Sequence, residues 1–337
     1  MSPGESNELV PGLVSVVIPV HNRAELMREA VGSVVAQTYR PVEILLVDDG
    51  STDGTAEACD ELANRMPDLV RVHHRSNGGP GAARETGRLA ARGEFLQYLD
   101  SDDLLLPRKL EIQVRALRSS PGAGVAYGFT QFRKGDGVLV EGPWKGSGVE
   151  RRTMFPSFLT ERWWDTPTPL YRRSVTDAAG PWLPLWQEED WEYDCRIAAL
   201  GTSLVQVKEF VAEVRDHGED RLSRGEPLDA RRCQARAVAH EAVYGHARRA
   251  GMGPEDPEMQ RYARELFLLA RQCGAASLPE ESRRLFALAR EASGPERAKG
   301  LDFRAYRMAA SVLGWALVGG LACRADGLRR GAAEPVA

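Results

Sequence analysis

The stretch GEFLQYLDSDD, residues 93–103, decides how this chain is read. Residues 95–99 form a short apolar run of the kind that makes a buried strand. Asp100, Ser101, Asp102 and Asp103 follow at once. A strand that ends in carboxylates delivers them to the ligand-binding edge of a parallel sheet. Carboxylates so close repel one another unless a cation sits among them. Mg²⁺ or Mn²⁺ fits, because each takes oxygen ligands and bridges one or two carboxylates to substrate phosphates. The plainer alternative is an acidic cap, with Asp103 starting the helix expected after Pro107.

Working outward, the pattern repeats. Residues 14–20 and 42–47 read as buried strands, 69–73 as a short one, and a further strand lies near 125–129. Helical spacing lies between them. Asn22 with Glu25 has the spacing of a capping box ahead of Leu26, Met27, Ala30 and Val31. Ala56, Cys59, Leu62 and Met66 form a second stripe, and Leu110, Val114 and Leu117 a third. Strand and helix alternating in short units predict an α/β fold: a mostly parallel central sheet with helices on both faces.

A second acidic cluster, Asp48-Asp49-Gly50-Ser51, ends the second strand. An acid there can accept from a ribose or a base N–H, or Asp and Ser can simply cap the turn. Asn77-Gly78-Gly79-Pro80-Gly81 leads into a helix bearing Arg84. Such a turn offers backbone N–H groups to an anion. It is not a P-loop, since no Gly-Lys-Ser/Thr follows, and no dinucleotide fingerprint follows the first strand. Arg84 can meet a diphosphate or pair with Asp48 or Asp49.

Residues 135–190 are irregular. Six of the seven tryptophans fall between Trp144 and Trp191. They either pack on one another or offer a face to a sugar ring. Beyond about 224 the chain turns helical, over 234–249, 257–273 and 279–291. The similar stretches ELFLLAR (265–271) and RLFALAR (284–290) suggest a helical hairpin. Residues 308–323 carry no charge and are flanked by Arg304, Arg307, Arg324, Arg329 and Arg330. Three readings stay open for them: a docked helix, a membrane-surface contact, or a span, for which the segment is short.

The chain has 337 residues, enough for one large domain with an appendage. With 44 Lys and Arg against 48 Asp and Glu, the net charge is −4, unlike a general nucleic-acid binder. Five scattered cysteines favour a reducing compartment and argue against a zinc site. No basic start with an apolar run precedes residue 12, so a cytoplasmic protein is expected.

The segments VSVVIPVHNRAELMREAVGSVVAQTY, VEILLVDDGSTDGT, NGGPGAARETG, GEFLQYLDSDD and QEEDWEYDCRIAALG together resemble the ordered motifs of family 2 glycosyltransferases. The match runs from about residue 14 to 200, then more weakly to about 223. The resemblance implies a GT-A fold over 13–224, with 225–337 as a helical region touching membrane, if at all, through 308–323. It implies an inverting, metal-dependent, hexosyltransferase-type enzyme that passes a sugar from a nucleotide-diphosphate donor, UDP favoured, to an acceptor hydroxyl. A glycan or lipid-linked glycan of cell-surface polysaccharide is the expected acceptor, reached from the cytoplasm or the inner face of the membrane.

The resemblance also assigns roles. Pro19, His21 and Asp49 would line the nucleobase pocket. Asp100 and Asp102 form the DxD pair, with Asp102 on the Mg²⁺ or Mn²⁺ and Asp100 near ribose and metal. Arg84 would meet the diphosphate. Asp190 matches the general base, although Glu188, Glu189, Asp190, Glu192 and Asp194 also read as an acidic helix start. His217, in Arg215-Asp216-His217, resembles a position near metal and diphosphate. One departure is Ala83-Arg84-Glu85, where the family often shows Ala-Arg-Asn. The rivals are a sugar nucleotidylyltransferase, whose basic glycine-rich N-terminal stretch is missing here, and a non-catalytic nucleotide-sugar or glycan-binding protein.

Overall fold

The computed structural model describes residues 8–217, 226 and 228–331, with side chains through 326. The boundary expected at 224/225 and the side chains of Arg329 and Arg330 lie outside the described residues. Two compact units are present.

The first unit holds residues up to 154, 162–185, and 200 onward to the end of the sheet. Its strands are β1 (Val10–Val20), β2 (Val42–Asp48), β3 (Val70–His74), β4 (Gly93–Tyr98), β5 (Leu104–Leu105), β6 (Ala123–Arg133), β7 (Leu170–Arg172) and β8 (Ser203–Arg215). They form one sheet in the order β3-β2-β1-β4-β7-β6-β8-β5. β3, β2, β1 and β4 run parallel. β7 enters antiparallel between β4 and β6, and β6 pairs parallel with β8. The sheet is therefore mostly parallel, as the alternating pattern predicts.

The physical reason is burial on both faces. All seven residues of β2 are buried, as are residues 12–18 of β1. Strands covered on both sides become continuous apolar runs rather than alternating ones. The covering helices are α1 (Ala24–Val35), α2 (Thr55–Arg65), α3 (Pro80–Ala90), α4 (Lys109–Ser119) and α5 (Arg173–Ala179). Met27, Ala30, Val31 and Val34 of α1 pack in the same core as Val16, Ile18, Ile44 and Leu46. α3 lies very close to β1 because residue 87 is glycine: a Cβ there would stand 2.3 Å from Val17 Cγ1.

Two local expectations are corrected. Asn22 does not cap α1. It sits at φ 53°, its side-chain oxygen accepts from the Thr52 amide at 2.8 Å, and the helix starts after Arg23 without a side-chain cap. Asp103 does not cap α4: the N-cap residue is Arg108, which makes no side-chain cap bond, and the Leu110 amide in the first turn donates to Gln37 Oε1 at 3.1 Å.

The second unit comprises 155–161, 186–199 and the C-terminal helices. These are α6 (Glu189–Ala199), α7 (Ala230–Arg249), α8 (Pro257–Ala275), α9 (Pro279–Ala292), α10 (Gly294–Arg297), α11 (Leu301–Leu313) and α12 (Trp315–Gly331). α8 and α9 pack on each other as the expected hairpin. Phe267, Phe286, Phe303, Tyr306 and Trp315 form an aromatic core. Residues 308–323 are not one helix. Gly314, at φ 87°, ends α11 and lets α12 start in a new direction. Among the described residues no helix is long and apolar enough to cross a membrane.

Candidate active site

The parallel strands β2, β1 and β4 bring their carboxyl ends to one edge of the sheet, as the crevice rule requires. Asp49, just past β2, is buried. Its carboxylate accepts from Gly78 N–H at 3.0 Å and Gly79 N–H at 2.7 Å, and pairs with the Arg75 guanidinium. The glycine turn therefore does hold an anion, but the anion is Asp49 of the chain itself. Asp49 in turn is a carboxylate bonded by three donors of its own chain.

Asp48 is equally committed. Its two oxygens take the Ser51 N–H and the His74 ring, each at 3.0 Å. Burial alone would raise the Asp48 pKa. The hydrogen bonds from His74 and Ser51 outweigh it and leave the group below its ordinary value. His74 moves the other way, raised by Asp48 and Asp60. Pro19 is partly buried at the end of β1. His21 is exposed, with Nδ1 3.0 Å from the Asp49 carbonyl oxygen and its ring 3.2 Å from the Asn77 amide.

After β4 the acids are met by cations. Asp100 accepts from the buried Arg84 at 2.6 Å. Arg84 is thus seen paired with Asp100. Its guanidinium also lies 5.1 Å from the centre of the Trp182 ring, within cation–π range. Asp102 accepts from Arg23 at 2.8 Å, and the same oxygen lies 2.6 Å from His217 Nε2. Arg215 ties this segment to the end of β8. Its Nε donates to the Asp102 carbonyl at 2.7 Å, and its amide to the Asp103 carboxylate at 3.1 Å. Asp103 is fully buried, and burial together with the charges of Asp102 and Asp100 pushes its pKa well above the carboxylate range. Glu85, the departure from the family pattern, is answered by Arg88 at 2.8 Å and by the Trp182 amide at 3.0 Å.

The profile described as glycosyl transferase family 2 matches residues 15–174, which contain the ends of β1, β2 and β4 and both acidic clusters. Residues 15–174 are a family 2 glycosyltransferase domain. An uncharacterized glycosyltransferase of Nostoc sp. is 31% identical over 212 residues, 61% of this chain and 65% of the relative. The glycosyltransferase GlyG of Streptococcus pneumoniae is 37% identical over 126 residues, 37% of this chain and 42% of the relative. Each match spans less than two thirds of the relative's length. Among solved structures, S. aureus TarS 1-349 superposes with a TM-score of 0.64 at 18% identity, covering 93% of this chain and 91% of that chain. The mannosyltransferase PcManGT from Pyrobaculum calidifontis, in complex with GDP-Man and Mn²⁺, gives 0.51 at 20% identity, covering 91% of this chain and 86% of that chain. The fold is the GT-A fold.

Asp49, Asp100, Asp102 and His217, the last outside the matched segment, stand with cations the sequence reading passed over: Arg23, Arg75 and Arg215. Arg23 and Arg215 stand inside quoted motifs, so their signal was present but had no assigned partner. Asp102 carries a carboxylate oxygen of the kind that Mg²⁺ or Mn²⁺ accepts as a ligand, and the His217 imidazole stands beside it. Among the described residues no group of three or more His, Cys, Asp or Glu side chains is placed to hold a metal. The pair fits a cation whose remaining ligands are phosphate and water, which is how Mg²⁺ is commonly held.

Asp190 belongs to the second unit, in the first turn of α6. The turn around it is braced from α7. Glu188, at φ 60°, pairs with Arg236 at 2.8 Å and His240 at 3.2 Å. Glu192 pairs with Arg196 at 2.5 Å and His246 at 2.6 Å. Most of the tryptophans are packed rather than open. Trp163 and Trp164 are fully buried against Tyr127, and Trp191 packs on His240 and Tyr262.

Proposed function

We propose that this chain is an inverting, metal-dependent glycosyltransferase that moves a sugar from a nucleotide-diphosphate donor to an acceptor hydroxyl. The observation that carries the reading is the Asp102–His217 contact, at the sheet edge where the acids of the matched family 2 segment gather.

Asp102 and His217 are the residues that would hold Mg²⁺ or Mn²⁺ against the donor diphosphate. The cation, when bound, neutralises the diphosphate and makes it a better leaving group. Arg84 and Arg23 supply further positive charge beside the same acids. Asp100 would sit near the ribose and the metal. Pro19, His21 and Asp49 line the nucleobase side, with Asp49 acting through the turn it fixes. Asp190, at the motif position of the general base, takes the proton from the acceptor hydroxyl. That oxygen bonds to the anomeric carbon, and the bond from that carbon to the diphosphate oxygen breaks. Attack opposite the leaving group inverts the configuration.

UDP is the favoured base carrier, and a TarS structure in complex with UDP-GlcNAc supports it, at a TM-score of 0.59 and 18% identity. GDP, which a mannosyltransferase neighbour carries, is the next choice. The proposed acceptor is a glycan or lipid-linked glycan of cell-surface polysaccharide synthesis, met in the cytoplasm or at the inner face of the membrane. Residues 13–224 are proposed as the transferase domain and 225–337 as its helical companion.

Calorimetric titration of UDP, dTDP and GDP, with and without Mn²⁺, tests the reading on wild type and Asp102→Ala. Metal-dependent binding of one nucleotide, lost in the variant, is the expected result. Failure of all three to bind would withdraw it.

A further inference from the structure

The last two helices each bury one face inside the second unit. α11 buries Phe303, Tyr306 and Ala310, and its two aromatic rings pack on Phe267 and Phe286. α12 buries Val318 and comes close to α8 at Gly319, where a Cβ would stand 2.7 Å from the Arg271 carbonyl oxygen.

From Met308 to Leu321 the side turned outward is largely apolar. Met308 is 68% exposed, Val312 77%, Leu313 53%, Leu317 54% and Leu321 52%. A surface helix ordinarily puts polar residues there. A run of exposed large apolar side chains is a surface that something covers. Gly314 breaks the run, and neither helix is long and apolar enough to span a membrane.

Charge selects the occupant. No charged residue lies between Arg307 and Arg324. Arg304, Arg307 and Arg324 are exposed at the two ends of the apolar stretch. The nearby acids are already answered: Asp302 pairs with Arg297 at 2.6 Å, and Asp326 with Arg271 at 2.8 Å. The patch is thus apolar with a cationic rim. A second copy would set cations against cations. A leaflet of anionic phospholipid complements both features, as it does for helices that lie in the interface plane.

We propose that α11 and α12 lay this face on an anionic lipid surface. The inference rests on the second unit alone and does not depend on the proposed transfer reaction.

Vesicle co-sedimentation of the full chain tests it. The probes are vesicles of phosphatidylcholine alone and of phosphatidylcholine mixed with phosphatidylglycerol in equal parts. Wild type is expected to pellet with the mixed vesicles, less so at high salt. Arg304→Gln with Arg307→Gln should partition roughly tenfold more weakly or worse. Val312→Glu with Leu317→Glu should stay in the supernatant while keeping the wild-type circular dichroism spectrum. The arginine variant carries the test should the glutamate variant misfold. Wild type that remains in the supernatant with mixed vesicles overturns the proposal. So does a wild-type dimer in light scattering that the glutamate variant dissociates, since the face would then belong to a second copy.

Discussion

Asp102 and His217 are separated by 115 residues of chain, and the histidine Nε2 stands 2.6 Å from a carboxylate oxygen of the aspartate. The contact joins the segment after β4 to the segment after β8. Removing the imidazole leaves Asp102 with Arg23 and takes one candidate donor from the cation. His217→Ala is therefore expected to weaken Mn²⁺-dependent nucleotide binding by about 10- to 100-fold. Titration of Mn²⁺ at fixed nucleotide reads it directly. An unchanged Mn²⁺ affinity would take the histidine out of the metal shell.

Asp190→Asn keeps the shape of the α6 first turn and removes the base. Transfer should fall by about 10²–10⁴-fold while nucleotide binding survives. Single-turnover product formation, beside a binding isotherm, separates the two. Near-normal turnover would strip Asp190 of its role.

Asp49→Ala tests the glycine turn. The substitution orphans the Gly78 and Gly79 amides and leaves Arg75 without its carboxylate. A loss of about 2–4 kcal/mol in unfolding free energy is expected, because buried donors left unmade cost their full desolvation. Urea denaturation measures it. Asp49→Asn, which keeps one acceptor oxygen, should lose less. Equal stability of the alanine variant and wild type would mean that water replaces the carboxylate at no cost.

Lys109 yields a pH signature. It is fully buried, donating to the Thr168 carbonyl at 3.1 Å and to the Gln113 side chain, and burial holds its amine well below the ordinary lysine value. The unfolded chain binds a proton here that the folded chain releases. Stability from this group therefore rises with pH between the lowered folded value and the unfolded value near 10.4. Lys109→Met should abolish that rise, so the stability difference between wild type and variant should shift in favour of wild type as pH increases. Parallel stability curves from pH 7 to about 10 would show that Lys109 stays charged in the fold.

The legible parts of this molecule were those fixed by burial on two faces. β1, β2 and β4 are nearly unbroken apolar runs, so sequence alone places them and the acids at their ends. β5 has two residues and β7 three, too short for any period to show. β8 exposes much of its first half and buries its last residues, so it mimics neither template. Acidic clusters were visible because like charges in a row demand an explanation. Their arginine partners were not, since a lone Arg in a motif gives no direction. Asn22 and Glu25 had the spacing of a cap, but spacing does not reveal that Asn22 adopts a left-handed backbone and bonds across to Thr52. The uncharged stretch 308–323 left three readings open, because composition does not reveal that Gly314 takes a positive φ and divides it into two helices.

The glycine turn ahead of α3 carries a last consequence. Its amides hold a counter-ion tethered to the same chain, so dissolved phosphate or sulfate gains nothing by competing there. In the proposed reaction, recognition of the donor diphosphate would fall instead to guanidinium groups that already hold a carboxylate, Arg23 on Asp102 and Arg84 on Asp100. Binding a phosphate there is an exchange of partners between ions, and its strength will follow ionic strength more steeply than a rigid backbone cradle would.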